Sequence, residues 1–260
     1  MIFDPLQHKP GTVFESPPRP PSELLDRLAK IGLATVSAAL SGSFARETLL
    51  DAHTLPRVSG TGNVVGTAVT VWNAQSSTRM LLPMFDLLRP GDIVVVKGAD
   101  NETANWGEVA STNSMSRGAV GAIIDGATRD VDRCKELGFS IWTRRVYVGQ
   151  GFRHHYGYVN IPVAVGGSQI APGDIVMAGD DGIFSFPPSL LELAVTRGEA
   201  KEASEEPVLE AARRGEIAPE LKELFGASHP EDNMSPLFEE GVNRPGVLWA
   251  DVAGQPPVAS

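Results

Sequence analysis

Residues 93–130 read IVVVKGADNETANWGEVASTNSMSRGAVGAIIDGATRD and carry the clearest structural pattern in the chain. The β-branched run at 93–96 is short, apolar and bounded by turn residues, which predicts a buried strand. Helical spacing over 106–117 then gives way to a second apolar run at 118–125. A strand, a helix and a second strand in this order are typical of neighbouring parallel strands. These residues therefore predict the centre of an α/β domain.

The flanking sequence extends this pattern in both directions. Further strands are predicted at 66–71, 140–143, 161–167, 172–177 and 181–186, and further helices at 22–31, 34–40, 80–88, 131–137, 190–203 and 207–225. Strands alternate with helices in the middle of the chain and hairpins follow, so the expected fold class is α/β with a mixed sheet. In the helix over 106–117, Val109, Ala110 and Met115 are expected to form the inward face.

The two ends of the chain differ in composition from its middle. Residues 1–21 are rich in proline and predict an extended N-terminal arm, whereas residues 227–260 are rich in Pro, Asn and Gly and predict an extended C-terminal tail. The segment between them, 22–226, is expected to form one domain, because the whole chain of 260 residues is within the size of a single core.

Charge and cysteine content narrow the classes of function. Lys and Arg number 22 against 32 Asp and Glu, a net charge of −10 that disfavours contact with nucleic-acid phosphates. The single cysteine, Cys134, cannot form an internal disulfide, which is typical of a reducing cytoplasm. No apolar run approaches the roughly 18 residues of a membrane span, and the N-terminus lacks a signal-peptide pattern. We therefore expect a cytoplasmic protein that binds neither nucleic acid nor a membrane.

Two polar segments follow the strands predicted at 93–96 and 118–125. The first precedes a helix start, where free backbone N–H groups can bind a carboxylate; these belong to Gly107, Glu108, Val109 and Ala110. The second presents Arg129, a planar fork that matches carboxylates, beside Asp130, a ligand for hard cations.

Each segment also has a simpler explanation when it is taken alone. Gly107 allows close packing, Glu108 favours the helix dipole, and Arg129 with Asp130 forms a local ion pair or a helix cap. The two loops, however, follow parallel strands separated by one helix and should open on the same edge of the sheet. Together they predict a site for a small carboxylate-bearing substrate with Mg²⁺ or Mn²⁺.

Other motifs carry less weight. His154 and His155 are adjacent and lack further ligands of zinc spacing. Cys134 has no evident activating base and is interpreted as structural. The sequence contains no Gly-x-Ser-x-Gly elbow, no phosphate-binding loop and no Gly-x-Gly-x-x-Gly, which argues against a serine hydrolase and a nucleotide enzyme.

Several motifs occur in a characteristic order. They are GTAVTV at 66–71, WGE at 106–108, RGAVGAIIDGATRD at 117–130, PGD at 172–174 and DG at 181–182. Together they resemble the 4-hydroxy-4-methyl-2-oxoglutarate aldolase (RraA-like) family, which also contains the regulator of ribonuclease E activity. The resemblance covers about residues 24–225.

The resemblance implies a swivelling, phosphohistidine-domain-like α/β/β sandwich that assembles into homotrimers or hexamers with active sites at subunit interfaces. It also implies a metal-dependent lyase that cleaves a 4-hydroxy-2-oxo acid to pyruvate and decarboxylates oxaloacetate. By position, Asp130 would bind the metal directly and Glu108 would hold a metal-bound water. Arg129 would contact the substrate, and residues 107–110 would bind its pyruvyl part.

The sequence departs from the family pattern at two places. Arg133 stands where an acidic residue is frequent, and the loop at 99–105 is longer than usual. The alternative hypothesis is a non-catalytic regulatory binding protein of the ribonuclease E inhibitor type. In that branch the residue after the arginine need not be aspartate, so Asp130 favours an enzyme here.

Overall fold

The protein was analysed as a computed structural model that describes residues 7–41, 48–74, 76–98, 103–151 and 157–219. The predicted C-terminal tail at 227–260 lies outside the described residues, as do His154, His155 and part of the loop at 99–105. The chain divides into two compact units, Met1–Glu202 and Ala203–Ser260. The domain limits expected at 21 and 226 stay a prediction.

Helices and strands alternate between residues 64 and 146, and strands then follow one another as far as Phe186. The helices are α1 Ser22–Leu28, α2 Leu33–Leu40, α3 Leu81–Phe85, α4 Glu108–Met115, α5 Val131–Leu137 and α6 Leu191–Arg213. The strands are β1 Thr48–Asp51, β2 Arg57–Ser59, β3 Val64–Asn73, β4 Asp92–Lys97, β5 Ala104–Trp106, β6 Gly121–Thr128, β7 Ser140–Val146, β8 Gly157–Val159, β9 Val163–Val165, β10 Ser168–Ile170, β11 Ile175–Ala178 and β12 Gly182–Phe186. The predicted strands all overlap observed ones.

One curled, mixed sheet organises the fold. Its order is β1-β12-β11-β3-β4-β6-β7-β2, with β5 added to β6 and β8 added to β3. The neighbours β3, β4, β6 and β7 run parallel, and the outer strands pair antiparallel. This arrangement confirms the expected α/β class with a mixed sheet. The finer expectation of a swivelling α/β/β sandwich stays a prediction.

The strand β4 is buried on both faces. Val94 and Val96 contribute to a core cluster that also contains residues of α3 and α4 and Cys134 of α5. Ile93 and Val95 contribute to a second cluster on the opposite face, together with residues of β9 and β10. Both faces are therefore covered, which explains why the strand reads as an unbroken apolar run. No helix among the described residues is long and apolar enough to cross a membrane.

The inward face of α4 differs from the prediction. Ala110 is buried as expected, but Val109 is 72% exposed and Met115 is 38% exposed. The buried face consists of small residues, Ala110, Ser111 and Ser114. Small side chains let α4 approach α5 closely, so apolar periodicity gave the wrong face at Val109 and Met115.

The helices predicted at 190–203 and 207–225 are wrong as separate elements. One helix, α6, runs from Leu191 to Arg213 and contains Pro207 in its interior. Proline removes a single N–H donor and crowds the carbonyl of Ala203, four residues earlier. Because Ala203 is exposed, water can satisfy that carbonyl, and the helix continues.

The N-terminal segment is anchored to the sheet by backbone and side-chain contacts. Phe14 N–H donates to Val159 O at 3.1 Å. Farther along, the Arg19 guanidinium donates to both carboxylate oxygens of Asp92 at 3.0 and 2.6 Å. Asp92 is fully buried at the start of β4 and also accepts from Arg89 N–H at 2.8 Å. The arm therefore supplies the counter-charge of a buried carboxylate.

Replacing Arg19 with methionine is expected to lower the free energy of unfolding by about 3 kcal/mol, because Asp92 would be left as a buried charge without its cation. Urea unfolding measures this change. The matched control is Arg27→Met, which breaks a bidentate pair with Glu199 whose side chains are 43% and 46% exposed, so little change is expected. Equal losses of unfolding free energy in Arg19→Met and Arg27→Met would contradict the role of Arg19 as the counter-charge of buried Asp92.

Candidate functional site

The two predicted loops open on the same edge of the sheet. The strands β4 and β6 are parallel neighbours whose register runs from Ile93 opposite Gly121 to Lys97 opposite Asp125. Both loops therefore leave the carboxyl ends of adjacent strands, which is where ligands bind in α/β sheets. This geometry confirms the juxtaposition inferred from sequence.

A strand that the sequence analysis missed brings the loops into contact. After β4 the chain forms β5, which pairs with the end of β6 so that Ala104 lies opposite Ala127 and Trp106 lies opposite Thr128. Immediately beyond this pairing, Arg129 N–H donates to Trp106 O at 3.0 Å. The start of α4 is thereby held against the turn that precedes α5.

Gly107 lies where the first loop packs against the side chains of the second. A Cβ atom at this position would lie 2.8 Å from Asp130 Oδ2 and 3.2 Å from Arg129 Cγ, so both side chains would have to shift. The glycine φ is 174°, an extended value open to any residue. Glycine is therefore favoured here because it leaves space for the Asp130 and Arg129 side chains, and its backbone conformation plays no part.

Asp130 is the N-cap residue of α5 and adopts a left-handed conformation, with φ 55° and ψ 35°. Aspartate is among the few non-glycine residues that tolerate this region. Its carboxylate forms no cap hydrogen bond with its helix. Asp130 Oδ2 forms an ion pair of 3.5 Å with Arg129 Nε, and the Asp130 side chain is 40% exposed. The carboxylate thus remains accessible to a cation from solvent.

The first turn of α4 offers free backbone donors. Within the described parts of the chain, the N–H groups of residues 107–110 have no hydrogen-bond acceptor, as expected at a helix N-terminus. The Glu108 side chain is exposed at this helix start. Val109, whose side chain faces solvent, and Ala110, which is buried, contribute only their backbone to this surface.

Glu108 lies near a cation of the neighbouring helix. Arg133 of α5 donates to Glu136 at 2.8 Å. That hydrogen bond, together with the charges of Glu136 and Glu108, raises the pKa of the guanidinium. The arginine noted as a departure from the family pattern is therefore at the rim of the site.

A buried network lies directly beneath these residues. Trp106 Nε1 donates to Ser111 Oγ at 2.9 Å, and Ser111 Oγ donates to Gly107 O at 3.0 Å. Cys134 Sγ lies 3.6 Å from Ser111 Oγ. Burial raises the pKa of the Cys134 thiol, which agrees with a structural role. Neither Ser111 nor the hydrogen bond from the Trp106 indole was predicted from the sequence, although the two residues lie five positions apart across the start of the predicted helix.

A second charged group occupies the same edge on the other face of the sheet. Asp125 is buried and accepts from Lys97 Nζ at 2.8 Å, from Arg144 Nε, and from Gly166 N–H at 3.2 Å. Burial alone would raise the pKa of Asp125, but the hydrogen bonds and charges of Arg144 and Lys97 outweigh it and hold the pKa below its usual value. This group connects β4, β6, β7 and the β9–β10 hairpin and was not predicted.

The donor set limits what kind of metal centre the site can form. Across the residues that the structure describes, no group of three or more His, Cys, Asp or Glu side chains is placed to hold a metal ion. Asp130 has an accessible carboxylate, and Glu108 starts the adjacent helix. This set fits a hydrated Mg²⁺ or Mn²⁺, since Mg²⁺ keeps several waters and takes one or two carboxylates. It does not fit a zinc centre of four protein ligands.

Comparison with known proteins identifies the family of this chain. The family profile described as RraA-like, Aldolase/RraA, matches residues 33–184, which include every residue of the candidate site. The chain belongs to the RraA-like family. A Halalkalibacterium halodurans relative, provisionally named a 4-hydroxy-4-methyl-2-oxoglutarate aldolase, is 29% identical over 154 residues, covering 59% of this chain and 73% of that protein.

Solved structures of similar proteins share the RraA-like fold. Streptomyces coelicolor RraAS2, described as an unusual member of the RNase ES inhibitor RraA family, is 27% identical with a TM-score of 0.63, covering 73% of this chain and 96% of that one. A Pseudomonas syringae pv. tomato protein is 21% identical with a TM-score of 0.64, covering 77% and 97% of the two chains. Relatives of this RraA-like chain thus carry names of both an aldolase and a ribonuclease inhibitor.

Replacing Asp125 with asparagine is expected to destabilise the protein by about 2 kcal/mol at pH 7, because charge-assisted hydrogen bonds from Lys97 and Arg144 are weakened. Since the folded-state pKa of Asp125 is lowered, its contribution is present above the unfolded value of about 3.9 and is lost as pH falls through the folded value. The difference in the free energy of unfolding between wild type and Asp125→Asn should therefore become smaller as the pH falls.

Urea unfolding at a series of pH values tests this prediction. The control is Glu136→Gln, which weakens an ion pair with Arg133 in which both side chains are 64% exposed; its effect on the free energy of unfolding should be small. If the wild type instead became more stable relative to Asp125→Asn as the pH falls, the lowered pKa of Asp125 would be contradicted.

Proposed function

We propose that this protein is a divalent-metal-dependent aldolase that cleaves a 4-hydroxy-2-oxo acid, of the 4-hydroxy-4-methyl-2-oxoglutarate type, to pyruvate. The same site would decarboxylate oxaloacetate, because both reactions leave the enolate of pyruvate. The observation that carries the proposal is the contact of Gly107 with Arg129 and Asp130, which brings anion-binding amides, a guanidinium and an accessible carboxylate together.

The start of α4 would hold the pyruvyl carboxylate. The N–H groups of residues 107–110 lack acceptors within the described chain, and their position at a helix N-terminus favours an anion. Arg129 is 37% exposed, and among the described residues its side chain pairs through Nε with Asp130 while its terminal N–H groups make no hydrogen bond. It would bind the substrate and stabilise the negative charge that develops on oxygen during bond cleavage.

Asp130 would be the direct protein ligand of Mg²⁺ or Mn²⁺, and Glu108 would hold a water of its hydration shell. When bound there, the ion supplies Lewis-acid stabilisation of charge at the 2-oxo group. Glu108 would also accept the proton of the 4-hydroxyl through one water, so that the bond between C3 and C4 breaks and C4 becomes a carbonyl. The pyruvate enolate then takes up a proton to give pyruvate.

The assembly proposed is a homotrimer or hexamer with sites at subunit interfaces. Exposed apolar side chains near the site support this proposal: Val109 is 72% exposed, Val146 is 54% exposed and Val148 is 82% exposed. Val146 lies opposite Thr128 in the sheet, and Thr128 is the residue before Arg129. A neighbouring subunit would cover these side chains and exclude water from the substrate.

The first test measures pyruvate release, coupled to lactate dehydrogenase, from oxaloacetate and from 4-hydroxy-4-methyl-2-oxoglutarate with Mg²⁺, Mn²⁺ or EDTA. Asp130→Asn is expected to lower kcat/KM at least about a hundredfold, since the metal ligand is weakened while asparagine still tolerates the left-handed backbone. Asp132→Asn, which removes an exposed carboxylate from the same helix turn, is the control and should stay active.

Turnover that persists in EDTA, or in Asp130→Asn, would overturn the metal assignment. Absence of turnover with both substrates, combined with a stoichiometric ribonuclease complex in a pull-down, would instead favour the regulatory binding protein. That alternative draws on the relative described as an RNase ES inhibitor family member.

Gly107→Ala is expected to lower kcat/KM by at least about tenfold without unfolding the protein, because the added Cβ would displace the Asp130 carboxylate and the Arg129 stem. The matched control is Gly32→Ala at the N-cap of α2, where the nearest atom is the end of the Thr35 side chain at 3.3 Å. Steady-state kinetics and thermal unfolding of both variants check the prediction. Full activity of Gly107→Ala would show that the approach of the two loops is not required.

A further inference from the structure

Ser111 occupies the junction beneath the two loops of the candidate site. It belongs to the buried face of α4 and is fully buried. Its hydroxyl accepts from Trp106 Nε1 at 2.9 Å and donates to Gly107 O at 3.0 Å. Trp106 precedes the glycine and Ser111 follows it by one helical turn, so one hydroxyl connects both sides of the loop that starts α4.

The peptide planes on either side of Gly107 are each fixed at their carbonyl. Trp106 O accepts from Arg129 N–H at 3.0 Å, and Gly107 O accepts from the Ser111 side chain and from Ser111 N–H, each at 3.0 Å. Because a trans peptide directs its C=O and N–H to opposite sides, fixing Gly107 O toward Ser111 directs Glu108 N–H away from the network. That N–H is one of the donors proposed to bind the substrate carboxylate.

Cys134 connects the same hydroxyl to the second loop. Its sulfur lies 3.6 Å from Ser111 Oγ and donates weakly to Arg129 O at 3.9 Å. Burial raises the pKa of the thiol, so it remains protonated and able to donate near neutral pH. The network therefore contacts the carbonyl of Gly107 in one loop and the carbonyl of Arg129 in the other.

We propose that Ser111 is a positioning residue that orients the Gly107–Glu108 peptide for binding the carboxylate of a 2-oxo acid. The inference rests on the proposed function and deepens it, since it assigns the specificity for a C1 carboxylate to a side chain that never touches the substrate. If the role of Ser111 were purely structural, loss of its hydroxyl would lower stability and leave pyruvate binding unchanged.

A second serine on the same helix provides a matched comparison. Ser114 is also fully buried on α4, yet its Oγ has no hydrogen-bond partner among the residues described. Ser114→Ala and Ser111→Ala remove the same atom from the same helix face. Only Ser111→Ala removes a contact with Gly107 O, so a difference between the variants reports on that contact.

The experiment measures steady-state kinetics on oxaloacetate, calorimetric binding of pyruvate in the presence of Mn²⁺, and Mn²⁺ affinity alone. Ser111→Ala should raise KM and the pyruvate Kd together by about five- to tenfold, with a smaller change in kcat and an unchanged Mn²⁺ Kd. Ser114→Ala should match wild type in all three. Equal pyruvate Kd values for the two variants would overturn the proposal.

The double variant Trp106→Phe/Ser111→Ala separates positioning from stability. In Ser111→Ala the buried Trp106 N–H loses its acceptor, which destabilises the fold; the added Trp106→Phe removes that orphaned donor. Trp106→Phe alone leaves a cavity in the core and is therefore the reference for the double variant. Relative to that reference, the loss of the Ser111 hydroxyl should cost little thermal stability but should still raise the pyruvate Kd. A pyruvate Kd equal to that of Trp106→Phe alone would overturn the proposal and leave Ser111 a structural role. Wild-type turnover in the same assays keeps these outcomes distinct from failure of the proposed function, which would appear as inactivity of the wild type.

Discussion

The candidate site depends on the backbone contact in which Arg129 N–H donates to Trp106 O at 3.0 Å. The short strand β5 adds to the end of β6, and the next residue, Gly107, lies so close to the Asp130 and Arg129 side chains that a Cβ atom there would displace them. A helix N-terminus alone attracts anions weakly, and an Arg-Asp pair alone is an ordinary surface contact. Contact between them places donors and a carboxylate on one surface. Backbone pairing, rather than any single side chain, thus creates the site.

Support for this contact comes from the packing of small polar residues. Apolar side chains of Leu or Val size on the inner face of α4 would hold it farther from α5, whereas Ser111 lets the Cys134 sulfur approach within 3.6 Å. The hydroxyl also satisfies the indole of Trp106, which would otherwise be a buried donor without an acceptor. The close packing of α4 against α5 and the hydrogen bond from Trp106 therefore both favour serine at position 111.

Sequence patterns predicted most of the fold, because a strand that is buried on both faces, such as β4, appears in the sequence as an unbroken apolar run. They also predicted that the loops containing Glu108 and Asp130 share an edge, since parallel order follows from a strand, a helix and a strand. They missed β5, whose three residues are too few for a periodic pattern. They gave the wrong inward face at Val109, because the true face is made of small and polar residues that hydrophobicity does not mark. They missed Asp125 as well, since its partners Lys97 and Arg144 are distant in sequence.

The left-handed backbone at Asp130 links the geometry to the proposed chemistry. An N-cap aspartate usually lies in an extended conformation and turns its carboxylate back onto the helix amides, which would leave fewer lone pairs for a cation. Here φ is 55° and no such cap bond forms, so the carboxylate faces the Gly107 loop instead. A backbone conformation that costs free energy is retained where the surroundings hold it in place, and the residue before Asp130 is held by its N–H bond to Trp106 O. In place of a cap bond to its own helix, Asp130 has a carboxylate that is open to solvent beside the free amides at the start of α4, which is the arrangement that the proposed metal-dependent reaction would use.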